Sequence, residues 1–142
     1  MNQNKVNDEF LGKALIARIA TVDEQNRPHV VPVWYGWDGE CLWISAYSST
    51  HKVRNIQKNA WISVVIDTTT NHLDNQAVVL EGRAELVRGP RAFLREKFTW
   101  IYARNLGEQG VLAQDPQEWM EDPENLLIKL KPEKIKSWGL EQ

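Results

Sequence analysis

The chain is a succession of short β-type runs, each closed by Gly, Pro or Asp, and this pattern constrains the fold more than any other feature. Such spacing is typical of antiparallel sheets, because neighbouring antiparallel strands can be joined by very short connections. Asp38-Gly39 gives the strongest local signal, since an Asp-Gly pair favours the tight turn of a β-hairpin. We therefore predict a mostly β protein.

Six strands are predicted from these runs, with a few helices between them. The predicted strands cover residues 15–22, 29–37, 40–47, 61–67, 77–87 and 125–130. Helical signals predict a short helix at 7–13, one that begins near residue 50, one from Leu94 to about 105–107, and one that has Asp115 as its cap. This order predicts a mainly β (α+β) fold, a six-stranded antiparallel barrel that is closed or nearly closed.

Composition limits the kind of molecule that the chain can be. With 142 residues, 42% of them hydrophobic, it can bury one ordinary core, and we expect a single domain over residues 1–142. A net charge of −2 gives no general attraction to nucleic acid or anionic membrane. No apolar run approaches the roughly 20 residues that cross a bilayer. Cys41 is the single cysteine, which fits a reducing compartment, and we expect a cytoplasmic protein.

The segment 44–59, ISAYSSTHKVRNIQKN, joins a strand to a helix through small and hydroxylated residues. If Ser48, Ser49 or Thr50 caps that helix, the free amides of its first turn point to the same place as the hydroxyls. Lys52 and Arg54 add positive charge there, and both side chains are suited to phosphate. The junction therefore predicts a site for a phosphate monoester.

An alternative interpretation of the same helix needs no ligand. Val53 and Ile56 would face the core, while Lys52, Arg54 and Lys58 would lie in water as the solvated side of an amphipathic helix. Pro32, in the predicted strand 29–37, can likewise be interpreted with or without a ligand. A proline cannot donate to a β-ladder, so it marks either a strand edge or a place where backbone groups contact something else, such as a planar ligand.

Three segments carry a resemblance to a known family. They are ATVDEQNRP at 20–28, the Lys-x-Arg-Asn spacing at 52–55 after a strand that ends in small or hydroxylated residues, and, more weakly, KIKSWG at 134–139. In these residues the chain resembles the pyridoxamine 5′-phosphate oxidase-like, FMN-binding split β-barrel family, over roughly residues 14–86. The resemblance implies a homodimer with FMN bound in two clefts between the subunits, and a small-molecule substrate.

The resemblance also implies which residues hold the cofactor. Lys52 and Arg54 would bind the flavin phosphate, with hydroxyl or backbone contacts from Ser49 and Thr50. The other implied residues contact the ribityl chain or the ring, and they are Val31, Pro32, Val33 and Trp34 on the second strand, Ser45 and Ala46 at the end of the third, Gln76 at the mouth of the fifth, and Trp138 near the C-terminus.

Two departures from the family pattern argue against vitamin B6 oxidation. The true oxidases continue past their tryptophan into a segment with an arginine and a histidine that hold the vitamin, and this chain has only four residues after Trp138. An arginine of their second strand is also missing, since residues 29–33 are His-Val-Val-Pro-Val. We therefore predict a flavin-dependent oxidoreductase acting on a small unidentified acceptor. Alternatives are a deazaflavin-dependent reductase on the same fold, or a non-catalytic flavin- or haem-binding protein.

Other chemistries have little support in the sequence. His29, His51 and His72 are far apart and lack metal-ligand spacing, so we expect no metal site. We assign no catalytic side chain, because a flavin carries its own reactive centre. A small barrel rich in aromatic residues could instead stack single-stranded nucleic acid. The net negative charge argues against nucleic-acid binding. The seven tryptophans also suit a dimer interface.

Overall fold

The computed structural model describes residues 3–69 and 75–140, which leaves His72 outside the described residues. Within these ranges, no helix is both long and apolar enough to cross a membrane. The helices there are α1 (Gln3–Leu11), α2 (His51–Lys58), α3 (Arg91–Gly110) and α4 (Gln114–Glu121). The strands are β1 (Ala17–Val22), β2 (Pro28–Val33), β3 (Tyr35–Trp37), β4 (Leu42–Tyr47), β5 (Trp61–Thr69), β6 (Asn75–Val87), β7 (Asn125–Leu130) and β8 (Lys134–Trp138).

These strands form one antiparallel sheet that curls into a half-barrel, in the order β2-β1-β5-β6-β7-β4-β3. The long strand β6 holds the two halves together. One of its edges pairs with β5, and its other edge pairs first with β8 and then, from Ala84 onward, with β7. The predicted α+β split barrel is confirmed, with eight strands in the described residues rather than six.

The two additional strands have separate causes. The predicted strand 29–37 is interrupted at Trp34, because β2 pairs with β1 in one half of the sheet whereas β3 pairs with β4 in the other. The segment after Pro132, where no strand was predicted, forms β8 along β6. The last helix begins at Gln114 with Ala113 as its N-cap, two residues before Asp115, the predicted cap.

Two clusters of apolar side chains lie on opposite faces of β4. Leu42, Ile44 and Ala46 point into the barrel core, while Cys41 and Trp43 pack against α3 and α4. Strand β4 is therefore covered on both faces. Helix α3 breaks at Gly107, whose φ of 82° strongly favours glycine, and this is where the helical pattern was predicted to end.

Arg104 of α3 fastens helix α1 to strand β3. Its guanidinium donates hydrogen bonds to the Gly12 and Lys13 carbonyls at the end of α1, and to the Tyr35 carbonyl of β3. The Tyr35 hydroxyl lies 2.8 Å from the Leu11 carbonyl oxygen, and burial raises the pKa of Tyr35 to about 12. This tyrosine therefore stays a neutral donor, and the unpaired carbonyls at the end of α1 are satisfied.

Candidate cofactor site

The junction between β4 and α2 forms the predicted strand-to-helix turn. Thr50 is the N-cap of α2, with extended backbone angles (φ −74°, ψ 155°). Its hydroxyl donates to the Tyr47 carbonyl at 2.7 Å and makes no capping bond to the helix. The amides of the first turn of α2 consequently have no side-chain cap, and they can donate to an external acceptor.

Helix α2 directs its side chains to three different environments. Val53 and Ile56 are buried in the barrel core, as predicted from the amphipathic spacing. Lys52 is half-buried, and Arg54 is exposed. Because residues two apart on a helix do not face the same side, these two cations reach different hollows in the surface.

The hollow at Lys52 is a cavity of about 460 Å³, large enough for a small-molecule ligand. It brings together five of the residues predicted to bind the cofactor, from β2, the β2–β3 junction, β4 and α2. The lining residues are Pro32, Val33, Trp34, Ser45, Tyr47, Lys52, Tyr102 and Trp119.

In this cavity the Lys52 ammonium is partly desolvated and has no anionic partner among the described residues. Burial lowers the pKa of its ammonium group, because desolvation disfavours the charged form. Among the residues that the structure describes, it makes no hydrogen bond and no ion pair. An anion bound in the cavity would supply the missing partner, and the uncapped α2 amides lie at the same end of the helix.

Arg54 lines a second hollow, a groove of about 450 Å³ between α2 and the β1–β2 turn. Its neighbours there include Asp23, Arg27 and His51. The structure therefore does not bring Arg54 into the cavity of Lys52, and its contact with a phosphate stays a prediction.

The other predicted residues lie outside the cavity lining. Val31 and Ala46 pack with the barrel core, and Ser49 is exposed in the β4–α2 turn. Gln76 and Trp138 lie close together at the β6–β8 pair, where the Gln76 amide donates to the Gly139 carbonyl at 3.3 Å. The Trp138 side chain is 47% exposed.

Three aromatic residues of the cavity were not predicted as site residues. Tyr47 ends β4, whereas Tyr102 and Trp119 come from α3 and α4. The rings of Trp34, Tyr102 and Trp119 contact one another edge to face, with centroids 5.6 to 6.5 Å apart. Tyr102 is buried, with 4% of its surface exposed. Its place at a cavity depends on how α3 folds over β4, and no local pattern encodes that.

The Tyr102 hydroxyl belongs to a buried polar cluster. Asn125 Nδ2 donates to it at 2.9 Å and also to the Trp119 carbonyl at 2.9 Å. Burial raises the pKa of Tyr102, and side-chain hydrogen bonds from Ser45 and Asn125 oppose that effect only in part. Tyr102 is therefore a neutral hydroxyl beside the cavity at ordinary pH.

The histidines give no metal centre in the described ranges. The rings of His29 and His51 are in contact, tilted by 43° with centroids 4.4 Å apart, and His29 Nδ1 is buried without a hydrogen-bond partner. No group of three or more His, Cys, Asp or Glu side chains within 3–69 and 75–140 could hold a metal ion.

The outer face of the sheet next to the cavity carries exposed apolar side chains together with an ion pair. Val30 is 62% exposed on β2, and its neighbour on the same face, Pro32, is also exposed. Val65 of β5 and Val79 of β6 are partly exposed on that face and are directly paired. The Arg18–Asp67 ion pair, at 2.8 Å, lies beside them.

Comparison with known proteins identifies the family. A sequence model of the pyridoxamine 5′-phosphate oxidase family matches residues 4–139, and the chain belongs to that family. No curated protein matches it.

Solved structures share the fold at low sequence identity. A conserved hypothetical protein, Rv2991 of Mycobacterium tuberculosis, has a TM-score of 0.79 and 20% identity, covering 97% of this chain and 84% of that one. An F420 reductase has a TM-score of 0.70 and 22% identity, with coverages of 91% and 94%. A FAD-binding protein from Mesorhizobium loti has a TM-score of 0.70 and 17% identity, with coverages of 96% and 94%.

Proposed function

We propose that this protein is an FMN-dependent oxidoreductase whose flavin phosphate binds at Lys52 and the first turn of α2. The observation that carries the proposal is the half-buried, unpaired Lys52 ammonium in a cavity lined by aromatic and β2 residues. An unpartnered ammonium is costly to bury, and a phosphate would compensate it. The helix amides without a side-chain cap add donors for the same anion.

The residues of the chain have binding and positioning roles in this function. Lys52 and the α2 amides neutralise the phosphate, and the backbone of residues 31–34 lies along the ring. Trp34, Tyr102 and Trp119 form an aromatic wall that excludes water from the ring. The flavin, when bound, supplies the hydride or electron transfer to a small acceptor.

The active form in this proposal is a homodimer. The exposed apolar surface at Val30 and Pro32 supports burial against a second copy, because it lies next to the cavity on the same strand. Gln76 and Trp138 are outside the cavity of their own chain, and in a dimer they would contact the cofactor bound by the partner.

A deazaflavin coenzyme is the second candidate for the same cavity. It also combines a planar ring system with a phosphate, so Lys52 would serve either cofactor. The fold that this chain shares with an F420 reductase supports the deazaflavin candidate. A protein that binds a flavin without turnover would use the same residues.

The absorption spectrum of the freshly purified protein tests this proposal directly. We expect a bound flavin, identified as FMN by the mass of the released chromophore, that is bleached anaerobically by a reduced nicotinamide. Release of a deazaflavin or haem would overturn the assignment of FMN. Bound FMN that no nicotinamide or other low-potential donor reduces would overturn the assignment as an oxidoreductase.

A further inference from the structure

Tyr47, the last residue of β4, is a half-buried residue that lines the cavity. Its backbone carbonyl accepts a hydrogen bond from the Thr50 hydroxyl in the β4–α2 turn. Its own phenol hydroxyl makes no hydrogen bond to any residue in the described parts of the chain. The proton and the lone pairs of this hydroxyl are therefore available to a bound molecule.

The other proton donors in the cavity lining are committed or too weak. Tyr102 is 4% exposed, and its hydroxyl lies 2.9 Å from Asn125 Nδ2 in the buried polar cluster. The Lys52 ammonium is the proposed partner of the phosphate. The Ser45 hydroxyl and the indole N–H groups are much weaker acids than a phenol. Among the described lining residues, Tyr47 is thus the acid best placed to give a proton to a bound molecule.

The surroundings of Tyr47 keep its hydroxyl protonated. Burial raises the pKa of Tyr47 above its ordinary 10.0, and the electrostatic effects of Tyr102 and of the Asp122 carboxylate raise it further. At ordinary pH this side chain is therefore a neutral donor, and tyrosine is one of the side chains that serve as general acids in enzymes. Such an acid gives its proton to a strong base, such as a carbonyl oxygen that has gained electrons.

We propose that Tyr47 is a catalytic residue that donates a proton to a carbonyl oxygen of the acceptor. The inference rests on the proposed function, in which reduced FMN supplies the electrons. The cavity lining presents aromatic rings from Trp34, Tyr102 and Trp119, and within the described ranges it contains no Asp or Glu. The lining therefore favours a planar, uncharged acceptor, and a quinone combines these features with carbonyl oxygens.

The atoms and electrons of this step balance with two donors. A quinone takes two electrons and one proton, together a hydride, from reduced FMN, and it takes a second proton from the Tyr47 hydroxyl. The O–H bond of Tyr47 breaks, and an O–H bond of the hydroquinone forms. The phenolate left on Tyr47 regains its proton from water, and a reduced nicotinamide supplies the next hydride to the flavin.

Two acceptors with different needs for protons test this role. Duroquinone takes up protons with its electrons, whereas ferricyanide takes an electron alone. With the bound FMN reduced anaerobically before mixing, we expect Tyr47→Phe to slow reoxidation by duroquinone by roughly a hundredfold, a typical effect of general acid catalysis. Reoxidation by ferricyanide should keep the wild-type rate. Tyr35→Phe is the matched control, because it removes a buried tyrosine hydroxyl outside the cavity and should leave both rates unchanged.

Binding without turnover gives a second measurement. Cyclohexanone carries a carbonyl oxygen but is not reduced by flavins, so its affinity for the oxidised, FMN-loaded protein can be measured from the flavin spectrum. We expect Tyr47→Phe to weaken this affinity by roughly two- to tenfold, the size of one hydrogen bond. An unchanged affinity would contradict a contact between Tyr47 and the carbonyl oxygen.

Equal slowing of the two acceptors in Tyr47→Phe, or of neither, overturns the proposal. A loss of FMN affinity with riboflavin spared also overturns it, because that result places Tyr47 at the phosphate. In the wild type, reoxidation by duroquinone should be slower in D2O than in H2O, and equal rates overturn the proposal even if Tyr47→Phe does not fold. Wild-type protein that binds no FMN overturns the proposed function and this inference together. Bound FMN that is reduced normally and is reoxidised by duroquinone at one rate in wild type and Tyr47→Phe overturns this inference alone.

Discussion

At the scale of single residues, two features of the structure disfavour the positive charge of Lys52. Its ammonium is half-buried, which lowers its pKa, and it lies in the first turn of α2, where the helix dipole is positive. Nothing in the described parts of the chain compensates that charge. A bound phosphate would reverse both penalties, and this is the physical basis of the proposed cofactor site.

The affinity for FMN should fall at alkaline pH for the same reason. Phosphate binds the charged ammonium, and in the free protein the pKa of Lys52 is lowered from its ordinary 10.5. As the pH rises through that lowered pKa, the ammonium loses its proton and the phosphate loses its partner. We expect Kd for FMN to rise there while Kd for riboflavin, which has no phosphate, stays level.

Lys52→Arg is the control for this pH dependence, because a guanidinium stays charged throughout the range. This variant should show no alkaline loss of FMN affinity. Equilibrium titrations of both ligands across the pH range decide the matter, and a parallel decline for FMN and riboflavin would assign the effect to the fold instead.

At the scale of elements, α1, β3 and α3 are tied together by one side chain. Arg104→Met keeps much of the aliphatic stem but removes the donors to the Gly12, Lys13 and Tyr35 carbonyls. We expect the free energy of unfolding to fall by about 1.5–3 kcal/mol, the value of hydrogen bonds from a charged group. Urea denaturation measures it.

Arg95→Met is the comparison for that variant. Arg95 makes a two-point ion pair with Glu121. Both side chains are about half exposed, so water and salt screen the pair. An equal loss in the two variants, or none in Arg104→Met, would contradict the role given to Arg104.

The β4–α2 junction was predictable because its signals are local. Hydroxylated residues before a helical pattern indicate the cap, and the spacing of Val53 and Ile56 indicates the buried face. Lys52 and Arg54 looked equivalent in the sequence, yet they line different hollows. Which side of a helix meets a cavity depends on the elements packed around it. Because Lys52 and Arg54 are two residues apart, they lie on different sides of α2.

Non-local pairing accounts for most of what the sequence did not reveal. Strand β8 forms because β6 is long enough to offer an edge to both β7 and β8. Tyr102 and Trp119 reach the cavity because α3 and α4 fold back over β4. Neither arrangement has a signature within a short window of residues. The antiparallel fold class, in contrast, could be predicted from turn residues and alternating hydrophobicity alone.

At the scale of the whole molecule, the proposed dimer predicts the effect of a charge on the outer sheet face. Val30→Glu places a carboxylate where an apolar side chain is 62% exposed in the single chain. We expect this variant to sediment as a monomer and to lose most of its FMN, because a buried unpaired charge opposes association. The wild-type protein should sediment as a dimer. We expect its interface to bury more than roughly 2,000 Å² in total.

Leu112→Glu is the control for that variant, because Leu112 is 64% exposed and lies between α3 and α4, away from the sheet face. It should leave both the dimer and the FMN content unchanged. A wild-type monomer that holds FMN stoichiometrically would contradict a site shared between two copies.

The most direct test of the whole account compares FMN with riboflavin in Lys52→Met and Arg54→Met. The two variants remove one cation each from the same helix, but only Lys52 lines the cavity. We predict that Lys52→Met weakens FMN by roughly tenfold to a hundredfold and leaves riboflavin nearly unchanged, with a smaller loss of FMN in Arg54→Met. Equal losses of the two ligands in Lys52→Met, or no loss of either, would contradict a phosphate bound at Lys52.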